Sequence, residues 1–261
     1  IYVSSMIGAG FFGRVFGGVL SGQLGWRTAF IIFSLLNLAG GVLMLRYLPP
    51  SSRFRGKGGV LESLAGLFRH LGSCRLLGVF IIAFMLFFTF TGAFTYVTFH
   101  LSAPPYSLST TSLGLLFFIY IAGVVSPAAG SLSSRYGRTP VICAGLITAS
   151  GGMLLTFLPH LWVIIGGLFL LCAGLFISQP AASALVGDLA REGKGSASSL
   201  YLFFYYTGGG AGAIVPGLLW HSRGWHGVVA ICLLSIGAAF VSLFTFCRDS
   251  SQRREQQVHS Q

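Results

Sequence analysis

The segment GFFGRVFGGVLSGQLGWR, at residues 10–27, decides the fold of this chain. It is almost wholly apolar, it places Arg14 among glycines and phenylalanines, and it ends in Gly-Trp-Arg. A related segment, GAGAIVPGLLWHSRGWHG, lies near the other end of the chain at residues 210–227. Two features therefore need an explanation: a charge within an apolar run, and the recurrence of that run.

The composition identifies lipid as the main solvent of the chain. Of its 261 residues, 54% are hydrophobic and only 8% are charged, whereas about 25% of the residues in a soluble domain are charged. The net charge of +11 does not indicate a nucleic-acid partner, because the basic residues form short clusters between apolar runs instead of one stripe. Such clusters are typical of the cytoplasmic side of a membrane protein.

Eight apolar runs are long enough to cross a bilayer as helices, which need about 20 residues each. The runs are continuously apolar, whereas strands of a membrane barrel alternate in segments of about 10 residues. We therefore predict an all-α membrane protein. The predicted spans are residues 1–24, 27–47, 76–99, 111–132, 139–158, 162–186, 196–220 and 226–247.

The basic residues predict the orientation. If the spans alternate in direction, thirteen of the sixteen Lys and Arg residues fall on one side, many of them between residues 46 and 75. Only Arg27 and Arg223 fall on the other side. Because cytoplasmic loops carry the excess of Lys and Arg, we predict that both chain ends are cytoplasmic, together with a linker at 48–75 and a tail at 248–261.

The linker contains a second pattern. Leu61, Leu64, Phe68 and Leu71 are spaced like one face of a helix, which predicts a short helix along the membrane surface. The alternative is an unstructured linker with scattered leucines.

The recurring segments indicate a duplication. Gly25-Trp26 and Gly224-Trp225 are offset by 199 positions. At the same offset Gly10 aligns with Gly209, Gly13 with Gly212, Val15 with Ile214, Gly18 with Gly217 and Leu20 with Leu219. So many matches without a gap favour an internal repeat over chance.

The repeat predicts two helical bundles of parallel topology. Residues 76–247 then form a complete six-helix bundle, and residues 1–47 hold the last two helices of the first. The offset places the start of the first bundle about 120 residues before residue 1, so the first bundle is expected to be incomplete in this chain. Transporters built from parallel repeats bind their substrate between two such bundles.

Three features of the sequence are similar to one known family. The segment AGFFGRVFGG at 9–18 places its small residues like the fifth-helix pattern G-x-x-x-G-P-x-x-G-G of proton-driven antiporters. The segment GSLSSRYGRTP at 130–140 is similar to a short cytoplasmic loop, G-x-L-a-D-R-x-G-R-R. The basic loop at 46–75 lies where that family joins its two halves. The chain thus resembles the major facilitator superfamily from its fifth to its twelfth helix, which implies two pseudo-symmetric six-helix bundles.

Three departures from these patterns concern charged residues or the helix-breaking proline. Arg14 replaces the proline of the fifth-helix pattern, Ser134 replaces the aspartate of the loop, and Thr139 replaces its last basic residue. The loop motif is Gly130, Arg135, Gly137 and Arg138. We expect it to keep a structural role, with its arginines at lipid headgroups or helix C-termini.

Glycines form a second motif. Gly10, Gly13 and Gly17 share one helix face and would let a neighbouring backbone approach closely. The resemblance implies that this face meets the helix predicted at 111–132, in a contact that can slide as the halves rock. The complete interface motif is Gly10, Gly13, Gly17, Gly18, Gly209, Gly212 and Gly217.

Arg14 is the main candidate for a functional residue. It lies about 20 Å from the start of its helix, inside a core about 30 Å thick. A mid-membrane arginine costs about 2.5–3.5 kcal/mol on insertion scales, so we expect it to bind an anionic substrate or a proton-carrying carboxylate. The predicted spans contain no acidic residue. The alternative is an arginine held by backbone carbonyls or reaching out to the interface.

Weaker candidates lie on two other spans. Thr91, Thr95 and Tyr96 are close together on the third span, and Gln179 precedes Pro180 on the sixth. The resemblance makes these spans the seventh and tenth helices, which line the central cavity. An interhelical hydrogen bond is the alternative role for each of them. Asn37, Tyr120, Tyr205 and Tyr206 are further options.

These features together predict a monomeric secondary transporter of the inner membrane. We expect proton-coupled efflux of a small organic solute by alternating access, with protons and membrane lipids as its other partners. The sequence has no phosphate-binding GxxxxGK[ST] and no clustered metal ligands, so no cofactor, metal or enzymatic activity is expected. The alternative is a non-transporting membrane protein or a truncated fragment, since two helices of the first bundle could not enclose a cavity.

Overall fold

The computed structural model describes residues 2–47, 70–190 and 193–247, and all regular secondary structure there is helical. This confirms the predicted all-α fold. A 3₁₀ segment spans Phe117–Val125. The helices are α1 (Tyr2–Leu24), α2 (Trp26–Tyr47), α3 (Cys74–Ser102), α4 (Thr110–Leu116), α5 (Ser126–Tyr136), α6 (Arg138–Leu155), α7 (Leu161–Leu189) and α8 (Lys194–Phe246).

The helices follow the eight predicted spans closely. α4, the 3₁₀ segment and α5 together form the fourth span, while α8 contains the last two and is broken at Gly224 (φ 57°, ψ −141°). Among the described residues, six helices are long and apolar enough to cross a membrane. They also leave large apolar side chains on the outside, such as Ile31 and Leu38 of α2. Lipid or other apolar helices can cover such surfaces at no cost in hydration.

The chain divides into two compact units. The first comprises Ile1–Glu62 and Leu101–Phe118, and the second comprises Ser63–His100 and Ile119–Gln261. The first unit therefore holds α1, α2 and α4, and the second holds most of the remaining helices. The predicted assignment of residues 1–47 and 76–247 to two bundles stays a prediction.

The first unit is built around close contacts of α1. A Cβ atom added to Gly18 would overlap the Cα of Gly114, so the backbones of α1 and α4 touch at this point. One turn further on, Gly22 faces the Thr111 side chain of α4 in the same way. α4 begins at Ser109, whose Oγ accepts a hydrogen bond from the Ser112 backbone N–H at 3.2 Å. This N-cap fixes the end of α4 that lies against α1.

The core of the second unit is formed by equally close helix pairs. α6 and α7 meet through Gly145 and Gly174, and again through Gly152 and Gly167, where added Cβ atoms would overlap backbone atoms. Large side chains of this unit, such as Phe80, Ile142 and Leu168, are fully buried. In the absence of a hydrophobic driving force between helices, such small-residue contacts let van der Waals packing stabilise the bundle.

The repeat is visible in the backbone. Gly25 has φ 81° and Gly224 has φ 57°, so both Gly-Trp pairs break their helices at a residue in the positive-φ region. Side chains rarely tolerate that region, which explains a glycine in both copies. The two tryptophans differ: Trp225 is buried and its indole N–H donates to the Thr156 carbonyl at 3.0 Å, whereas Trp26 is exposed.

The 3₁₀ segment is a departure from the sequence-based expectation of a regular helix over 111–132. It is nine residues long, although 3₁₀ runs beyond three or four residues are uncommon. Pro127 follows it and has no backbone N–H, so the Gly123 carbonyl cannot receive an α-helical hydrogen bond. The proline thus accounts for the irregularity at the C-terminal end of the segment.

Several predictions fall outside the described residues. The basic linker at 48–69, its surface helix over 60–71 and the tail at 248–261 lie there, except that His70 and Leu71 are helical. The cytoplasmic orientation of both chain ends also stays a prediction.

Candidate functional site

Arg14 projects from α1 in the first unit, and its side chain is exposed. Its Nη1 donates a hydrogen bond to the Gly10 carbonyl at 3.3 Å, and its Cζ lies 5.6 Å from the ring centroid of Phe117. That distance is within the range of a cation–π interaction. Arg14 is therefore held partly by its own helix, as one of the sequence-based alternatives required, and partly by an aromatic ring that sequence reasoning did not single out.

The glycine face of α1 contacts α4. The close approach is made by Gly18, which meets Gly114, and by Gly22, which meets Thr111. A Cβ on Gly17 would be 3.6 Å from the Phe33 ring, and one on Gly13 would have no atom of the described residues within 4 Å. The predicted interface role of Gly10, Gly13 and Gly17 stays a prediction. Gly18 and Gly22 are one helical turn apart and therefore face the same helix, α4.

The glycines of the second copy lie in the second unit and contact α3. A Cβ on Gly209 would overlap the Phe87 ring, and one on Gly212 would overlap the Phe88 backbone. Gly217 lies against the hydroxyl of Tyr96. These glycines let α3 and α8 approach closely within one unit.

Tyr96 makes an interhelical hydrogen bond. Its hydroxyl donates to the Ala213 carbonyl of α8 at 2.8 Å, beside Gly217 and close to Pro216 in sequence. This is the structural alternative that the sequence left open for this residue. On the same helix, Thr91 and Thr95 are half-buried.

Gln179 lies on α7 with a half-buried side chain. The backbone carbonyl of Gln179 accepts a hydrogen bond from the Tyr201 hydroxyl at 3.2 Å. Pro180, the next residue, has no N–H to donate to the carbonyl of Phe176 one turn earlier, so this part of α7 has one internal hydrogen bond fewer.

A cluster of aromatic rings in the second unit was not predicted as a group. Tyr120 lies 5.3 Å from Phe90 and 6.2 Å from Phe176 between ring centroids, and Tyr205 stacks on Phe87 at 4.2 Å with an interplanar angle of 8°. Tyr120 and Tyr205 were options from sequence, but the phenylalanines were not, because a chain with 24 Phe gives no signal for which of them meet. The aromatic cluster (Phe87, Phe90, Phe94, Tyr120, Phe176 and Tyr205) joins side chains from α3, α7, α8 and the 3₁₀ segment.

The loop motif forms an ion pair that the sequence did not predict. Arg138 donates from Nε to Asp188 Oδ2 at 3.1 Å and from Nη1 to Ser133 Oγ at 2.6 Å. A carboxylate from the last turn of α7 therefore lies at the loop that lacks its own aspartate. Asp188 was among the acidic residues of this side, but its pairing across 50 positions could not be derived from sequence.

The other loop residues have separate roles. Gly137 has φ 94°, which permits the turn between α5 and α6. Arg135 is exposed, with its Cζ 5.4 Å from the Tyr136 ring centroid. The carbonyl of Gly130 accepts a hydrogen bond from Ser133 Oγ at 3.0 Å.

The predicted site residues are divided between the two units. Arg14 belongs to the first, while Thr91, Thr95, Tyr96 and Gln179 belong to the second. Within the ranges that the structure describes, no group of three or more His, Cys, Asp or Glu residues could hold a metal ion.

Comparison with known proteins defines the class of this protein. The sequence profile of the Major Facilitator Superfamily matches residues 1–125 and 99–260. The chain therefore belongs to this superfamily and is a multi-pass membrane protein.

Similar proteins occur in several bacteria. The chain is 33% identical to an uncharacterized transporter of Buchnera aphidicola from Schizaphis graminum, over 93% of this chain and 60% of the relative. It is 34% identical to the uncharacterized MFS-type transporter YybF of Bacillus subtilis, over 88% of this chain and 58% of the relative. It is also 34% identical to the inner membrane transport protein YnfM of Escherichia coli, over 92% of this chain and 58% of the relative. The chain thus spans about three fifths of the length of these curated relatives.

Proposed function

We propose that this chain is part of a monomeric secondary transporter that exports a small organic solute across the inner membrane in exchange for protons. Membership of the superfamily supports transport by alternating access, and of three relatives two are named transporters and one a transport protein. The relative YnfM is named an inner membrane protein, which supports the same membrane for this chain. The resemblance of residues 9–18 to the antiporter pattern supports efflux and proton coupling.

Arg14 is the observation that carries this proposal. An exposed guanidinium in the apolar helix α1, well inside the expected membrane core, is expensive unless it serves a polar ligand or partner. The Gly18–Gly114 contact adds a surface on which two helices can slide, because no side chain interlocks there. A helix that carries a charge at this depth beside a smooth contact surface suits a transporter better than a static membrane protein.

The side chains of the second unit suit a weakly polar cargo. The aromatic cluster offers ring faces, and the half-buried Thr91, Thr95 and Gln179 add a few polar groups. Binding sites for small organic molecules combine apolar walls with a small number of polar groups in this way.

A transport assay with the full-length natural protein tests the proposal. Inside-out vesicles are incubated in a medium that contains a panel of organic acids, amines and neutral compounds, with and without an imposed pH gradient. We expect accumulation of at least one compound that a protonophore abolishes. If vesicles with and without the protein behave alike for every compound, transport is wrong; if accumulation ignores the gradient, proton coupling is wrong.

A further inference from the structure

We propose that Tyr206 stacks on the flat aromatic ring of a neutral cargo, and that Tyr205 and Phe87 position its side chain for this contact. This inference rests on the proposed transport function and names the substrate class and the residue that recognises it. The first observation is the geometry of three rings in the second unit. Phe87 and Tyr205 stack at 4.2 Å between ring centroids, and Tyr206 lies 5.8 Å from Phe87 and 5.6 Å from Tyr205.

Two perpendicular contacts restrict the plane of the Tyr206 ring. Its interplanar angle is 85° with Phe87 and 82° with Tyr205. Edge-to-face pairs of this kind are a preferred arrangement of aromatic side chains. Because a ring that is already ordered loses little conformational freedom on binding, it contacts a rigid ligand at a lower entropy cost than a freely rotating side chain.

The stack that supports this ring is fixed by the packing of three helices. Gly209 of α8 lies directly against the Phe87 ring of α3. Tyr201 continues the stack on the other side of Tyr205, with an interplanar angle of 14°. The Tyr201 hydroxyl donates to the Gln179 carbonyl of α7, so the orientation of the stacked rings is tied to α3, α7 and α8.

The position of Tyr206 on α8 separates it from the apolar outer stripe of that helix. Phe203, Ile214 and Leu218 are exposed and lie within about 60° of one another around the helix axis, as expected of a lipid-facing stripe. Tyr206 lies about 60° to the other side of Phe203, toward Gly209 and the contact with α3. Within the described ranges it exposes 51% of its surface, although it contacts two rings.

The polar groups beside the rings favour a neutral cargo. Tyr206 carries a phenolic hydroxyl, and Thr91 lies one turn after Phe87 on α3 with a half-buried side chain. Hydroxyls both donate and accept hydrogen bonds, so they bind amides, ketones and ring heteroatoms without a counter-charge. A flat aromatic compound with such a group combines a ring face for Tyr206 with a partner for a hydroxyl.

The test measures binding of tritiated β-naphthamide to the purified full-length protein in detergent. Two unlabelled competitors share a carboxamide and a ring skeleton: β-naphthamide is flat and aromatic, and decahydro-β-naphthamide is saturated and puckered. We expect β-naphthamide to compete about fivefold better, which is the effect of one aromatic pair beyond its buried area. Hydrophobic partitioning predicts the opposite order, because the saturated analogue is the more apolar of the two.

Substitutions on α8 test the contact residue. Tyr206→Leu should remove this preference because the ring face is lost, and Tyr206→Phe should retain it. Phe203→Leu is the matched control, since Phe203 is also an exposed aromatic residue of α8 but lies on the apolar outer stripe. It should leave the preference unchanged.

A second pair of variants tests the positioning role of Tyr205. Tyr205→Leu removes a ring that contacts both Phe87 and Tyr206. We expect the preference to fall to about twofold, and Tyr205→Phe to restore it because the ring remains. A general loss of structure would lower the melting temperature and weaken both competitors equally, whereas loss of ring orientation reduces only the preference.

Three results would overturn the inference: no binding of β-naphthamide at millimolar concentration, equal competition by the saturated analogue, or equal effects of Tyr206→Leu and Phe203→Leu. Each is distinguishable from failure of the transport function. If the vesicle panel shows proton-dependent accumulation of a non-aromatic compound while β-naphthamide does not bind, transport stands and the aromatic site is wrong. If β-naphthamide binds with the expected preference and no compound of the panel accumulates, the site stands and transport is wrong.

Discussion

At the scale of single residues, the structure separates side chains that bridge helices from side chains that are exposed. Tyr96 and Arg138 are the clearest bridges, because each bonds to a residue of another helix. Arg14 contacts its own backbone and one ring but remains exposed. From the sequence alone, Tyr96 and Arg14 were both candidates for contact with the substrate.

Replacing Tyr96 by Phe tests this distinction. The substitution removes the hydrogen bond from the Tyr96 hydroxyl to the Ala213 carbonyl and leaves the ring in place. We expect a loss of about 0.6 kcal/mol in stability, and no more than about 1.7, as for other interhelical hydrogen bonds in membranes. The measurement is thermal denaturation in detergent together with substrate KM. An unchanged melting temperature with a raised KM would instead assign Tyr96 to the cargo.

The cysteines give a residue-scale test of burial. Cys74 at the start of α3 is exposed, whereas Cys247 after α8 is buried with 3% of its surface accessible. We expect a water-soluble maleimide to label Cys74 within minutes in the native protein and to reach Cys247 only after denaturation. Peptide mapping by mass spectrometry distinguishes the two. Native labelling at Cys247 would show that the end of α8 is open.

At the scale of secondary structure, glycines determine which helices meet. Gly18 with Gly114 joins α1 to α4, and Gly152 with Gly167 joins α6 to α7. Each pair lets backbones approach so closely that any added side chain would collide. Other glycines, such as Gly13, meet nothing among the described residues, although the sequence gives them the same appearance.

Alanine substitutions on α1 test this difference. Gly18→Ala places a methyl group on the Gly114 backbone, which cannot move aside as a side chain can. We expect a loss of about 1–3 kcal/mol, the usual cost of overpacking. Gly13→Ala on the same helix is the control and should be close to neutral. The readout is thermal stability of the purified protein; equal effects at both positions would contradict the α1–α4 contact.

At the scale of the whole molecule, the repeat relates the two ends of the chain. Gly25 and Gly224 break their helices with the same sign of φ, and the following tryptophan begins the next helical run in both copies. Two equivalent breaks, 199 positions apart, are the expected result of duplicating a helix–turn–helix element.

The orientation of the molecule provides the last prediction. Engineered cysteines at 46–75 and in the tail at 248–261 should react with an impermeant thiol reagent only after the cytoplasmic side is opened. The reason is the excess of Lys and Arg in these segments. A cysteine between Leu101 and Ser109, in the loop expected outside, is the control and should react in intact cells. Labelling of residues 46–75 in intact cells would reverse the orientation.

Much of the fold could be predicted because lipid simplifies the problem. Each span must satisfy its backbone hydrogen bonds internally, so the length and hydropathy of α2, α3 or α7 define a helix without knowledge of its neighbours. Less of the candidate site could be predicted. Phe117 lies 103 positions from its partner Arg14, and Asp188 lies 50 positions from its partner Arg138. Neither contact belongs to a local sequence pattern.

The sequence by itself determined the class of this protein, the position of its apolar helical spans and the internal repeat, because these follow from local hydropathy and from residue identity at fixed spacing. Only the tertiary structure decided which glycines touch, that Tyr96 bonds to α8, and that Arg14 lies beside Phe117. Such contacts depend on the rotation and register of one helix against another. Many faces of an apolar helix are nearly equivalent in lipid, so only the packing of the complete set of helices selects among them.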